Sequence, residues 1–260
     1  MKDHCIACVV IYRACTAVPE KIVLEDEKGE HSETHVRHSF LSNFILGSQD
    51  GLVNVLGIIL GISAATSDVR LLFVGALAAL GAESISMGAV AYTSTSARRK
   101  QYLKEVEREK REMKEVPKME KEEVRDIFKR WGYKGEELES MTEKIISNPK
   151  AWLEFMMAFE LDLAPVKKSE PFRSFLVVIM STIFGSIMPI IPFIFLYKNI
   201  HMGILASIIV SGITLFLIGY YEAKTTVGSL WKSGLQMLII GLAAGFAGYL
   251  IGHFIGAVPI

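Results

Sequence analysis

Five stretches of almost unbroken apolar side chains dictate what this chain can fold into: roughly Phe40 to Ala65, Leu71 to Tyr92, Phe172 to Tyr197, Met202 to Tyr221 and Leu235 to Ile255. A bilayer core about 30 Å thick needs about 20 residues of helix at about 1.5 Å each, and every stretch is near that length. Inside lipid the backbone groups find no water, so each stretch must satisfy its own N–H and C=O groups as a helix. The expected fold is an all-α membrane protein with five transmembrane helices. The overall composition, 51% hydrophobic with 28 basic and 28 acidic residues, averages two unlike kinds of segment. Apolar blocks from Phe40 to Thr93 and from Phe172 to Ala257 enclose a charge-dense middle. The chain therefore divides into a tail (1–39), two spans (40–96), a polar helical insert (97–170) and three further spans (171–260). No nucleic-acid partner is expected of it, and the partner its surface demands is membrane lipid.

Basic residues settle the expected orientation. Arg98, Arg99 and Lys100 follow the second span, Lys167, Lys168 and Arg173 precede the third, and Lys224 and Lys232 lie between the fourth and fifth. The opposite loops carry little beyond Arg70 and Lys198. The positive-inside rule places the N-terminus and the insert in the cytoplasm and the C-terminus outside. In the tail, His4, Cys5 and Cys8 could ligate a soft metal, yet a lone C-x-x-C lacks the second pair of a zinc site, and with Cys15 the cysteines are too few and too clustered to staple the fold. The apolar run from Val9 to Ala17 is short, is broken by Arg13 and is followed by acids, which does not fit a signal peptide. Gly241, Gly245, Gly248 and Gly252 fall at helical spacing and suit close helix contact, while Pro189 and Pro192 should free carbonyls and kink the third span.

A carboxylate in an apolar span is costly, so Asp50 and Glu83 are functional candidates. The connection near Asp68 is short, which makes the first two spans antiparallel neighbours and allows depths to be compared. Asp50 is then level with Met87, about 12 Å from the cytoplasmic end. One turn further on, Asn54 is level with Glu83, so two layers are expected, Asp50 with Met87 and Asn54 with Glu83. Carboxylate oxygen beside a thioether suits a borderline ion such as Fe²⁺ better than Mg²⁺ or Ca²⁺. Met87 could equally be core packing and Asn54 a bridge between helices. Gly47 and Gly51 beside Asp50 would let a backbone or an ion come close.

The insert is expected to hold three helices. The first continues the second span from Arg98 toward Lys114, and the next runs from Lys118 to Arg130. A short element from Glu137 to Ile146 leads to a last helix from Pro149 through Leu163. Glu109 and Glu112 share a face of the first, Glu120 and Glu123 a face of the second, and Glu160 stands four after Met156 on the last. Converging, these carboxylates would form oxygen-rich sites for divalent cations with Met156 and Met157 as soft neighbours. The same pattern is also that of a solvated mixed-charge helix. None of the histidines lies in the insert, which argues against the Glu-x-x-His pairs of a di-iron oxidase, and no enzymatic activity or prosthetic group is expected.

The segments Gly47-Ser48-Gln49-Asp50-Gly51-Leu52-Val53, Ile85-Ser86-Met87-Gly88, Val116-Pro117 and Trp152-Leu153-Glu154-Phe155-Met156-Met157-Ala158-Phe159-Glu160-Leu161 resemble the vacuolar iron transporter family. The likeness covers nearly everything after about residue 38. It implies a five-span homodimer with its pore between subunits, exchanging cytoplasmic Fe²⁺ (or Mn²⁺) for protons. It further implies that Asp50 and Met87 line the path and that Glu109, Glu112, Glu120, Glu123, Met156, Met157 and Glu160 form a cytoplasmic metal-binding domain. Where the plant-type pattern has an acid two turns before the motif methionine, this chain has Ala79, and Glu83 stands one turn before it. Gly219-Tyr220-Tyr221-Glu222 resembles the family's fourth-span end, with Glu222 at an entrance. The membrane would be the plasma membrane in a prokaryote and a vacuolar-type membrane in a eukaryote. A membrane-anchored metal buffer or sensor and a membrane ferroxidase are the rival readings.

Overall fold

The computed structural model describes residues 35–226 and 228–256, so the tail cysteines and His4 lie outside the described residues. These residues form helices α1 (His35–Ala65), α2 (Val69–Glu115), α3 (Pro117–Arg130), α4 (Gly135–Ile146), α5 (Pro149–Phe159), α6 (Glu170–Phe195), α7 (Ile200–Thr225) and α8 (Leu230–Gly256), and no strand occurs among them. Five of these, α1, α2, α6, α7 and α8, are long and apolar enough to cross a membrane. They overlap the five expected spans; α2 runs on as one helix to Glu115, and the other ends are shifted by a few residues. Asn199, for example, accepts from the Met202 backbone N–H at 3.3 Å and so starts α7 two residues before the apolar run does.

Two compact units result. One comprises the spans, from the start of α1 to Thr95 and again from Ser169 onward. Its hub is α1, against which α6, α7 and α8 pack. Val55 and Ile59 of α1 bury Leu72 and Ala76 of α2 with Ile190 and Phe193 of α6, while Leu52 packs with Leu215, Ile218 and Met237. The three-residue link from Thr66 to Asp68 reverses the chain between α1 and α2; Asp68 accepts from the Arg70 N–H at 2.8 Å and caps the second helix.

Close approach in this unit is made by glycine. A Cβ on Gly248 would lie 2.5 Å from the Gly57 carbonyl oxygen, and Gly252 abuts Gly61 in the same way, so the expected small-residue face of α8 is its contact with α1. Gly47 and Gly51 back onto the Val178 and Thr182 carbonyls of α6, which resolves their purpose as backbone approach rather than room for an ion. At Gly185 a Cβ would fall 2.9 Å from Ser48 Cα and 2.8 Å from Ser48 C, atoms of a backbone that cannot step aside. Gly185→Leu is expected to lower stability in detergent by about 1–3 kcal/mol or more, as overpacking does; a thermal melt indistinguishable from wild type would contradict this packing. α6 continues through Pro189 and Pro192 and ends at Phe195, and the Ser207 hydroxyl donates to the Pro189 carbonyl at 2.8 Å.

The other unit, Ser96–Lys168, contains the polar end of α2 with α3, α4 and α5. Contrary to expectation, Gly135–Ile146 is a full helix, so the insert has three helices of its own besides the α2 extension. Glu136 and Glu137 in its first turn and Lys144 in its last complement the helix dipole. α5 stops at Phe159 rather than Leu163 because Asp162 takes a left-handed backbone (φ 51°) and the Leu163 N–H turns back to the Met157 carbonyl at 2.9 Å. Val124, Ile127 and Phe128 of α3 meet Leu138, Ile145, Trp152, Phe155 and Met156 in one core. Its aromatic centre stacks Phe128 on Phe155 at 5.2 Å with Trp131 edge-on to both.

Candidate functional site

In the membrane unit, helical spacing and the short α1–α2 link bring three polar side chains together. Asn54 sits one turn from Asp50 on α1, and its amide donates to Asp50 Oδ1 at 3.4 Å and to Glu83 Oε1 across on α2. The Asn54 amide thus bridges the two acids. The expected Asn54–Glu83 layer is therefore present, with Asp50 drawn into it. Glu83 Oε2 is buried and has no hydrogen-bond partner among the described residues. An acid oxygen left unpaired in an apolar span costs several kcal/mol (about 2–7 for unpaired polar groups), which a bound cation would offset. Met87 is half-buried one turn along α2 from Glu83.

Of the three groups, the two acids are half-buried and Asn54 is open. Asn54 is exposed in the single chain and lines a groove between α1 and α8 with Val53, Gly57, Gly61, Gly248 and Gly252. Glu222 lies in the last turn of α7, where its backbone carbonyl accepts from the Thr225 and Thr226 hydroxyls at 2.9 and 2.8 Å. Among the described residues no contact joins it to Asp50, Asn54 or Glu83, so the structure does not gather it into the same group.

In the polar unit the packing of α3 decides the site. Glu120, Val124 and Phe128 are spaced four apart, so the face that buries the core also buries Glu120, which is 3% exposed. Glu109 of α2, 1% exposed, is one turn before Met113, which packs on that core. Glu160 follows Met156 by one turn at the end of α5, capping it rather than lying within it. Carboxylate oxygens of Glu109, Glu120 and Glu160 lie within 4.8 Å of one another. Glu109 Oε1 and Glu120 Oε2 are buried without a hydrogen-bond partner among the described residues. Three acids at this separation, two of them with an orphaned buried oxygen, fit a hard or borderline divalent cation.

Their electrostatics agree. Burial first, then the neighbouring Glu120 carboxyl, then Glu160 and Glu112, push the Glu109 carboxyl up to about 8. Glu160 is exposed along most of its length, yet its carboxyl turns into the group and is pushed up to about 7, by burial first and then by Glu123 and Glu120. Glu123 is also raised, by burial and then by Glu120. Of the seven residues expected to hold metal here, the structure brings Glu109, Glu120 and Glu160 together and leaves Glu112 and Glu123 on the rim. Met156 and Met157 are buried, Met156 inside the aromatic core. Sequence reasoning missed Arg108, whose Nε lies 3.2 Å from Glu112 Oε2 and whose Nη1 lies 2.9 Å from Glu105 Oε2. Its spacing of four from Glu112 and three from Glu105 was the available signal.

Residues 41–253 match the model of the VIT family. A protein of Oryza sativa subsp. japonica named vacuolar iron transporter 1 is 30% identical over 233 residues, covering 87% of this chain and 92% of the relative. The vacuolar iron transporter 1 of Arabidopsis thaliana is 28% identical over 234 residues, 90% of this chain and 92% of its own. The vacuolar iron transporter of Plasmodium falciparum (isolate 3D7) is 28% identical over 233 residues, 86% of this chain and 85% of its own.

Proposed function

We propose that this chain, which belongs to the VIT family, carries divalent transition-metal ions, Fe²⁺ first and Mn²⁺ second, out of the cytoplasm across a membrane in exchange for protons. The observation that carries the reading is the meeting of Asp50, Asn54 and Glu83 across two apolar helices, with one acid oxygen unpaired. The names of the relatives, iron transporters all, support the cargo. Met87 supplies a thioether one turn from Glu83, and oxygen with sulfur favours Fe²⁺ over Mg²⁺ or Ca²⁺.

The open groove beside Asn54 supports a homodimer. Lipid against that groove would strand the Asn54 amide that bridges the two acids, whereas a second copy packed there would enclose it. Glu222 then serves as an entrance residue at the end of α7. The basic residues at the ends of the spans support a cytoplasmic insert. There Glu109, Glu120 and Glu160, joined by Glu112 and Glu123 and backed by Met156 and Met157, gather the ion for the path. Proton and metal compete for the same oxygens, so a proton arriving from the far side releases the ion, and differential affinity of the two protonation states drives exchange.

The three-carboxylate group favours one other reading, since it would serve a membrane-anchored metal buffer equally well. Purified protein in liposomes loaded with a pH-sensitive dye and an Fe²⁺ indicator separates the two. Fe²⁺ entry accompanied by alkalinisation of the lumen is expected; binding without entry would leave the buffer, and oxygen consumption on adding Fe²⁺ would instead mark a ferroxidase.

A further inference from the structure

One cation of the chain, Arg108, borders the acidic group. Arg108 forks between Glu105 at 2.9 Å and Glu112 at 3.2 Å, and its charge also bears on Glu109, Glu123 and Glu160. The three acids that face one another, Glu109, Glu120 and Glu160, have no such partner at hydrogen-bonding distance among the described residues. Glu112 is thus set apart from them by a pairing, since it shares its helix face with Glu109 and stands one turn away.

We propose that Arg108 is a resident competitor for the incoming cation, holding Glu112 out of the ligand set until a divalent ion displaces it, and that it thereby sets the affinity of the insert. The inference rests on the metal-binding reading of the insert. Guanidinium is suited to the part: it stays charged at any physiological pH, and its planar fork matches two carboxylates at once. The Arg108 side chain is partly exposed, so it can swing into water at little cost. An ion pair at such a site is weak and easily exchanged, which makes the competition graded. A divalent ion offers Glu112 twice the charge of Arg108 and is chelated by the neighbouring acids as well.

Mn²⁺ titrations of the purified full-length protein, followed by calorimetry and by loss of the free-ion EPR signal, test this. Arg108→Gln is expected to tighten Mn²⁺ binding about five- to tenfold, and Arg108→Lys, which keeps the charge but not the fork, about two- to threefold. Arg111→Gln removes the same charge one turn along the helix from an exposed side chain and is expected to change affinity less than twofold. Equal or weaker binding by Arg108→Gln, or an equal gain in Arg111→Gln, would overturn the proposal. Should the glutamine variant fail to fold, Arg108→Lys decides alone, with unchanged or weaker binding counting against it. Wild-type protein that binds no Mn²⁺ would sink the metal-binding reading and this inference with it.

Discussion

Asp50→Ala is expected to abolish Fe²⁺ flux into proteoliposomes, by on the order of a hundredfold or more, while leaving the protein at least as stable to heat as before. Groups outside a metal's own coordination sphere already change affinity by about 10–100-fold when removed, and a carboxylate in direct contact is worth more. Stability should move the other way. Asp50 is half-buried in an apolar helix, and the Asn54 amide at 3.4 Å is its side-chain hydrogen-bond partner among the described residues. An acid at the centre of a span costs about 2.5–3.5 kcal/mol, so replacing it by alanine relieves that cost along with the repulsion from Glu83. Asp50→Asn, which keeps the shape and removes the charge, should lose flux to the same degree. Side-by-side initial rates and thermal melts read both quantities. Wild-type rates in the alanine variant would dismiss Asp50 from the path, and flux lost together with the fold would reduce the effect to one of structure.

How much of this was visible beforehand depends on range. Span positions follow from local hydropathy, and the Asn54–Glu83 meeting follows from a link too short to let α1 and α2 be anything but antiparallel neighbours. Spacing along one helix assigns Glu109 with Glu112 and Glu120 with Glu123 to shared faces, yet it says nothing of which faces converge. That is decided by the aromatic core: Glu120 is buried because Val124 and Phe128 continue its stripe, whereas Glu123, displaced around the helix, ends half-exposed. Gly47 and Gly51 illustrate the same limit. Their freedom for close approach was evident, but only the position of α6 shows that the approaching group is backbone. The left-handed turn at Asp162 that ends α5 early carries no glycine to announce it.

The acids of the polar unit lead to the second large effect, a stability that runs against the usual direction with pH. Glu109, pushed up to about 8, and Glu160, to about 7, both lie above the ordinary 4.5 of an unfolded glutamate, so the folded unit binds more protons than the unfolded chain between those values. Stability without metal is then complete below about pH 4.5 and is lost as pH rises through 7 and 8. Amide hydrogen exchange across residues 117–159, corrected for the intrinsic pH dependence, should show protection falling from pH 5 to pH 8 in chelator. A saturating divalent ion must reverse the trend, since it binds the deprotonated acids and at a hundred times its dissociation constant adds about 2.7 kcal/mol to the folded state. Glu109→Gln with Glu120→Gln diminishes both behaviours, leaving Glu160 alone: the paired variant should lose less protection by pH 8 without metal and bind Mn²⁺ on the order of a hundredfold more weakly. Binding should also release protons near pH 7, visible as a dependence of the calorimetric heat on the buffer. A protection profile that rises with pH in chelator would mean that the three carboxylates are already paired with cationic partners, and would remove them as a site for metal.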